Sequence, residues 1–326
     1  MTHINNPMSI GDLMISNRLI MAPMQQNHGS AEAYATDYHI NHYTKRAGSI
    51  GLIIIESTAV SKNGRLYPDD IGIFTDKHTE PLKRIVDSVH EEKTPIFIQL
   101  SHGGRKSHPK VTEKMVAPSP IPFDDRYGTP NEITIPEIKE IIADYRNAAR
   151  RNVEAGFDGI ELHAAHGYLL HQFLSPLSNQ RSDHYGGSVE KRSNIVLEIL
   201  EAIRSEVGYQ FPLQIRVSAS DFTEDGLRST EVAKILKILE QYLDAVHVSA
   251  GGLLPIKPLA TPEGYQVPFA AIIKQYVNIP IITVGKIDNA KIANYILTEE
   301  LADFISIGRP LLNDAEFAKK LLLGDE

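Results

Sequence analysis

No cysteine occurs anywhere in the 326 residues. That excludes structural disulfides, Cys-ligated zinc and iron–sulfur clusters, all of which need thiolates. No apolar run approaches the ~18 residues of a membrane span, so no membrane partner is expected. The opening MTHINNPMSIGDL lacks a basic segment followed by an apolar one, so no secretory signal is expected and the cytoplasm is the default location. Positive charge is not in excess: 33 Lys and Arg stand against 41 Asp and Glu, a formal net charge of −8. Nucleic acid wants clustered Lys and Arg and is not expected as a partner. A phosphate-bearing cofactor needs only a local pocket and stays open. No linker, charge block or low-complexity tract divides the chain, which reads as one domain over 1–326.

What is present is ordinary for a globular protein, with 42% hydrophobic and 23% charged residues. A chain of this length can bury roughly 75% of its unfolded surface. Eight short apolar, β-branched runs recur along it: Arg18–Met24, Gly51–Thr58, Pro95–His102, Phe157–His166, Pro212–Ser220, Asp244–Gly252, Pro280–Lys286 and Ala302–Arg309. Most are nearly continuous, as parallel strands covered on both faces should be. Helical patterns lie between them. Glu137–Ala155 carries apolar residues near a 3.6 period and ends at Gly156, a C-terminal stop. Val189–Val207 ends at Gly208, Thr230–Tyr242 follows Ser229 as an expected N-cap, and Asp288 is placed to cap a helix through Leu297. A last helix is expected around Phe317–Leu322.

Eight strands alternating with helices predict an α/β fold, a single TIM (β/α)8 barrel. A doubly wound open sheet is the alternative, but no Gly-x-Gly-x-x-Gly follows any strand. Two regions exceed the bare barrel. Pro7–Asn17, with Gly11-Asp12 at its turn, predicts an N-terminal hairpin that plugs the bottom. Gly103–Pro136 after strand 3 is a long, Pro-rich loop, either a lid or a passive excursion.

Reactive groups in such barrels stand at the C-terminal ends of strands. The polar residues there are Gln25, Glu56, Ser57, Gln99, His102, His163, His166, Tyr168, Arg216, Ser218, Ser249, Gly285-Lys286 and Gly308-Arg309. Strands seven and eight both end in glycine followed by a base. Bare N–H groups with a nearby cation suit a phosphate, and the bland reading is two tight turns. Arg216, in an otherwise apolar strand, must be paired, or face an anion or ring carbonyl. Gln99 offers donor and acceptor to a heteroaromatic edge. Taken singly, each is more often a satisfied core residue than a ligand. His163 and His166, three apart, bring two rings toward one point. They read as metal ligands, with Glu161 and Glu56 to complete the set, as a neutral donor pair for a carbonyl oxygen or phenolate, or as plain structure. Tyr168 favours the donor pair, since a phenol of pKa about 10 is protonated at neutral pH and serves as an acid.

The stretch GFDGIELHAAHGYLLHQFLSPLSNQRSDHYGGSVEKR, Gly156–Arg192, resembles the central signature of the old yellow enzyme family, the FMN-dependent ene reductases or NADH:flavin oxidoreductases. NRLIMAPM, FIQLSHGGRKS, IRVSASD and SIGRPLL are similar to it too, in the right order along nearly the whole chain. The length and the His-Ala-Ala-His-Gly-Tyr form point to the compact bacterial, thermophilic-like branch.

The resemblance implies non-covalent FMN, with Ala22, Pro23, Met24 and Gln25 beside the ring. It implies Ser57 and Gln99 at ring heteroatoms, Arg216 near the N1/C2 edge, and Gly285, Lys286, Gly308 and Arg309 at the phosphate. His163, His166, Tyr168 and the position of Asn27 would meet the substrate, an α,β-unsaturated carbonyl compound. The histidines would polarise the carbonyl, hydride would pass from flavin to the β-carbon, and Tyr168 would protonate the α-carbon. NADPH or NADH would reduce the flavin first, in a ping-pong cycle. Three positions depart from the family pattern. Gln25 stands where Thr or Cys is usual, and Asn27 where the compact branch usually has a substrate-touching Tyr. No Arg follows Arg309, so the branch's intersubunit arginine is not expected, although a homo-oligomer stays open. The other readings are a flavin-binding barrel with low turnover or a different flavin reductase or dehydrogenase activity, and a metal-dependent barrel hydrolase or lyase. The larger iron–sulfur relatives are discounted for want of cysteine.

Overall fold

A computed structural model describes residues 2–256 and 258–324. Eight parallel strands form the barrel: β1 (Leu19–Met21), β2 (Leu52–Ala59), β3 (Ile96–Ser101), β4 (Gly159–Ala164), β5 (Leu213–Ser218), β6 (Ala245–Ser249), β7 (Ile281–Val284) and β8 (Phe304–Ile307). Each pairs with the next, and β8 returns to β1, so the sheet closes. All eight apolar runs marked in the sequence supply one strand each. The intervening helices are α1 (Asp37–Thr44), α2 (Thr79–Glu91), α3 (Ile135–Ala155), α4 (Val189–Val207), α5 (Ser229–Leu239), α6 (Val267–Lys274), α7 (Ala290–Thr298) and α8 (Phe317–Leu323). Among the described residues no helix is long and apolar enough to cross a membrane.

Helix α3 shows how the sequence sets the boundaries. Thr134 accepts from the Glu137 N–H while the Glu137 carboxylate reaches back to the Thr134 N–H, a closed capping box. At the other end Gly156 takes φ 88°, a conformation that suits a residue without Cβ. Between them Ile138, Ile141, Tyr145 and Ala149 bury one face against the barrel. Two caps differ from expectation. Asn289, not Asp288, caps α7, its side chain accepting from the Ile292 N–H. Ser229 lies inside α5 and spends its hydroxyl on the Ala219 carbonyl, leaving Arg228 at the cap position.

Met8–Ile10 and Leu13–Ile15 pair antiparallel around Gly11, which has φ 55°. Ile10 and Ile15 pack with Ile20, Leu52, Ile54, Phe97, Ala245, Ile282 and Phe304, the inward residues at the lower barrel end. The hairpin is therefore the floor, as predicted. The segment after β3 is pinned. Val116–Ala117 pairs with Asn131–Glu132, the Arg105 guanidinium donates to the Ile121 carbonyl, and Arg181 donates to that of Pro118. It behaves as a wall of the upper face rather than a free flap.

Candidate active site

Above the apolar floor the barrel interior turns polar. Strand register sets Gln99 beside Glu161, Glu161 beside Gln214, His163 beside Arg216, and Arg216 beside His247. The period-2 alternation of strands turns these side chains inward on β3 to β6. Above them the chain leaves β4 through His166 and Gly167, both left-handed, at φ 57° and 75°. A Cβ at Gly167 would lie 2.1 Å from the Gly252 carbonyl oxygen, so the turns after β4 and β6 touch through bare backbone.

That turn brings the three predicted residues together. The His163 and His166 rings lie 5.2 Å apart, centre to centre, at 86°. Tyr168 sets its ring edge-on to His163 at 4.9 Å. Burial, and then the Arg216 charge, drive both histidines well below the ordinary imidazole value, so both are neutral at pH 7. His163 Nδ1 accepts the Ala165 N–H at 3.2 Å. The single ring proton therefore sits on Nε2, ready to donate. His166 Nε2 lies 2.8 Å from the Ser249 hydroxyl. With that hydroxyl as donor, Nδ1 of His166 carries the proton. Burial, with Tyr67 and Tyr127 nearby, raises the Tyr168 phenol above its usual value, so it holds its proton at neutral pH. Lys106 caps the group. Its ammonium donates to the His166 carbonyl at 2.8 Å and lies 5.0 Å from the Tyr168 ring centre and 4.5 Å from that of Phe123.

The carboxylates that would complete a metal site are already engaged. Glu161 accepts from Gln99, Gln214 and His247. Glu56 accepts from the Tyr43 hydroxyl and the Gln26 N–H. Among the described residues no cluster of three or more His, Asp or Glu is arranged to hold a metal ion.

A cavity of about 900 Å³ opens at the C-terminal ends of β7 and β8, lined by Arg216, Tyr265, Gln266, Gly285, Lys286, Gly308 and Arg309 among others. The residues present fit a flavin nucleotide. Arg216 Nε and Gln266 Oε1 are buried polar atoms without a partner, as are both amide atoms of Gln25; a ring with heteroatoms along its edge would satisfy such groups. At Gly308, which lines the cavity, a Cβ would lie 3.2 Å from Met24 Sδ, a tight contact with the segment after β1. Gly285 has φ 117°. Ala22, with its N–H on the Ile307 carbonyl, and Pro23 are buried beside β8.

Other predicted residues are placed less simply. The Lys286 ammonium donates to the Thr261 carbonyl, so this residue lines the cavity with its charge committed to the loop after β6. Ser57 is paired with Ser101, hydroxyl to hydroxyl at 2.5 Å. Asn27 is exposed with φ 56°, outside the histidine group. Sequence reasoning missed Lys106, Tyr265 and Gln266. It also missed a pair beneath the turn, His171 and Asp221. His171 Nδ1 accepts the Gly167 N–H at 2.9 Å, and its Nε2 lies 2.9 Å from Asp221 Oδ1, an electrostatic contact rather than an aligned hydrogen bond. Gly264-Tyr265-Gln266, just before α6 at the catalytic end, and the place of His171 in the Gly156–Arg192 stretch were the local signals available.

A closed barrel with a polar upper interior, a phosphate-ready cavity and a neutral donor pair defines a flavin-type oxidoreductase class. The profile of the NADH:flavin oxidoreductase / NADH oxidase family matches residues 3–324, and the chain belongs to that family. It is 42% identical to an NADPH dehydrogenase of Clostridium acetobutylicum over 95% of this chain and 91% of the relative. It is 41% identical to one of Bacillus subtilis over 96% and 92%. Among solved structures it is similar to morphinone reductase, with TM-score 0.87, 30% identity and coverage of 100% of this chain and 90% of that one. It also resembles a 2-naphthoyl-CoA reductase in complex with 2-naphthoyl-CoA, with TM-score 0.94 and 27% identity, spanning 99% of this chain and 52% of that longer one. The chain is thus an NAD(P)H:flavin oxidoreductase of the ene-reductase, old-yellow-enzyme-like type, and membership implies the use of FMN and NAD(P)H.

Proposed function

We propose that the enzyme reduces the activated C=C bond of α,β-unsaturated carbonyl compounds, in a ping-pong cycle. The observation that carries this is the neutral pair His163 and His166 beside the protonated Tyr168. FMN, when bound, supplies the hydride, drawn from NAD(P)H and passed to the β-carbon. The name of the relatives, NADPH dehydrogenase, favours NADPH.

The cofactor would be held by Ala22–Gln25, Ser57, Gln99 and Arg216 along the ring and by Gly285, Lys286, Gly308 and Arg309 at the phosphate. Tyr265 and Gln266 line the same cavity. His163 Nε2–H and the ring proton of His166 bind the carbonyl oxygen, where negative charge grows as the β-carbon is attacked. Neutral donors suit this work, because their ring protons stay in place through the cycle. Tyr168 delivers its proton to the α-carbon. Lys106 packs its ammonium between the rings of Phe123 and Tyr168.

The test is spectral and kinetic. Purified protein supplied with FMN should be yellow, reduce cyclohexenone with NADPH, and develop a long-wavelength charge-transfer band with an added phenol. His163→Ala combined with His166→Ala should lose that band and retain FMN. Loss of FMN instead would move the histidines to cofactor binding, and absence of both band and turnover would sink the ene-reductase reading.

A further inference from the structure

One fully buried polar group in the barrel has no place in the mechanism above. Glu161 is 0% exposed, at the centre of β4, two residues below His163. Its Oε1 accepts from Gln99 Nε2 at 2.8 Å. Its Oε2 accepts from Gln214 Nε2 at 2.6 Å and from His247 Nδ1 at 2.8 Å. Strand register brings Arg216 next to both His163 and His247, and His247 in turn reaches Glu161, so the carboxylate and the guanidinium lie in one buried polar group with His247 between them.

A buried carboxylate is expensive to ionise unless donors and opposite charge surround it. Burial does oppose the charge on Glu161, but His247, Arg216 and Gln214 outweigh it and hold the carboxyl below its usual range. Burial, then Arg216, keep His247 below the ordinary imidazole value. The layer is thus a carboxylate, a neutral histidine donating to it, and a guanidinium. Two consequences follow. An anion accepts and never donates, so it fixes the Gln99 amide with the nitrogen inward and the carbonyl oxygen turned away from Glu161. It also places a negative charge near Arg216, whose Nε is buried without a hydrogen-bond partner.

We propose that Glu161 is a positioning residue that presents the Gln99 carbonyl to the flavin edge and offsets Arg216, holding down the midpoint potential of the bound flavin. This rests on the FMN reading above. Two-electron reduction adds negative charge to the ring, and an uncompensated Arg216 would favour that state. With Glu161 in place the net field is weaker, and the reduced cofactor gives up its hydride more readily. Nothing in this requires Glu161 to touch substrate or to exchange a proton.

The experiment is a reductive titration of FMN-loaded protein against redox dyes. Glu161→Gln should raise the reduced-to-oxidised ratio at a fixed poise by about tenfold, ~30 mV for a two-electron couple. Glu161→Asp, which keeps the charge, should stay near the wild-type potential. Gln214→Leu removes one donor and leaves the carboxylate less neutralised, so its potential should fall; it carries the test if Glu161→Gln does not fold. An FMN-loaded Glu161→Gln with an unchanged or lower potential overturns the proposal, as does a Gln214→Leu protein at the wild-type potential when it alone is available. Wild-type protein that takes up no FMN refutes the flavin reading itself, a result separable from any shift between loaded variants.

Discussion

Asp221→Ala is the most demanding perturbation the structure suggests outside the histidine group. Asp221, just beyond β5, is almost fully buried. Its Oδ2 accepts the Ser175 hydroxyl at 2.8 Å and the Leu227 N–H at 2.9 Å, while Oδ1 faces His171 Nε2. Truncation leaves these donors without an acceptor, at about 1–3 kcal/mol for each buried donor stranded. With the Ser175 hydroxyl and the Leu227 N–H both stranded, the cost comes to about 4 kcal/mol. In a chain of this size each kcal/mol moves the melting temperature by about 2 °C, so the loss should be about 8 °C. The assay is a thermal melt of FMN-loaded protein at pH 7. Burial resists ionisation of Asp221, but His171, the Leu227 N–H and the Ser175 hydroxyl outweigh it and set its pKa below the reference 3.8. A depressed carboxyl contributes stability that is fully present above the unfolded value and is lost as pH falls through the folded value. The gap between wild type and variant should therefore hold from neutrality down to about pH 4 and close in stronger acid. Because His171 holds the Gly167 N–H, turnover should suffer as well. A melting loss under ~2 °C at pH 7 would refute the reasoning.

Tyr168→Phe should retain FMN and its reduction by NADPH, yet slow alkene reduction by about 10²–10⁴-fold, the usual worth of a positioned acid; stopped-flow separation of the two half-reactions checks this, and equal slowing of both would be contrary evidence. Lys106 offers a pH test. Burial first, and then Arg105, bring its ammonium down to about 8. Below that value it carries the charge that faces the rings of Tyr168 and Phe123. The charge is lost as pH rises through about 8, so alkene reduction should decline on that limb. Lys106→Arg should push the limb upward in a rate–pH profile, and an unmoved limb would assign it to another group.

The barrel was legible because its strands are buried on both faces and so carry an unbroken apolar pattern. The hairpin was legible because Gly11-Asp12 separates two short alternating runs. Cap residues shifted by one position, as at Asn289 and Arg228, since neighbouring polar residues compete for the same role. Within the site, His163, His166 and Tyr168 share one turn, so their meeting follows from local chain geometry. Lys106, His171 and Asp221 act from different segments. Lys106 meets the His166 carbonyl and Asp221 meets His171 only when the fold closes, whereas His171 reaches the Gly167 N–H four residues away within the same turn. Glu161 was visible as a carboxylate near two histidines, but one sequence could not tell a metal ligand from an anion already saturated by Gln99, Gln214 and His247.

The isoleucine-tipped hairpin beneath the barrel has a bearing on kinetics. With Ile10 and Ile15 wedged among Ile54, Phe97 and Phe304, small molecules have no passage through the floor. On the function proposed above, reductant and alkene would then both reach the ring from the upper face, an arrangement that suits the alternation of a ping-pong cycle and has its origin at the end of the barrel farthest from the chemistry.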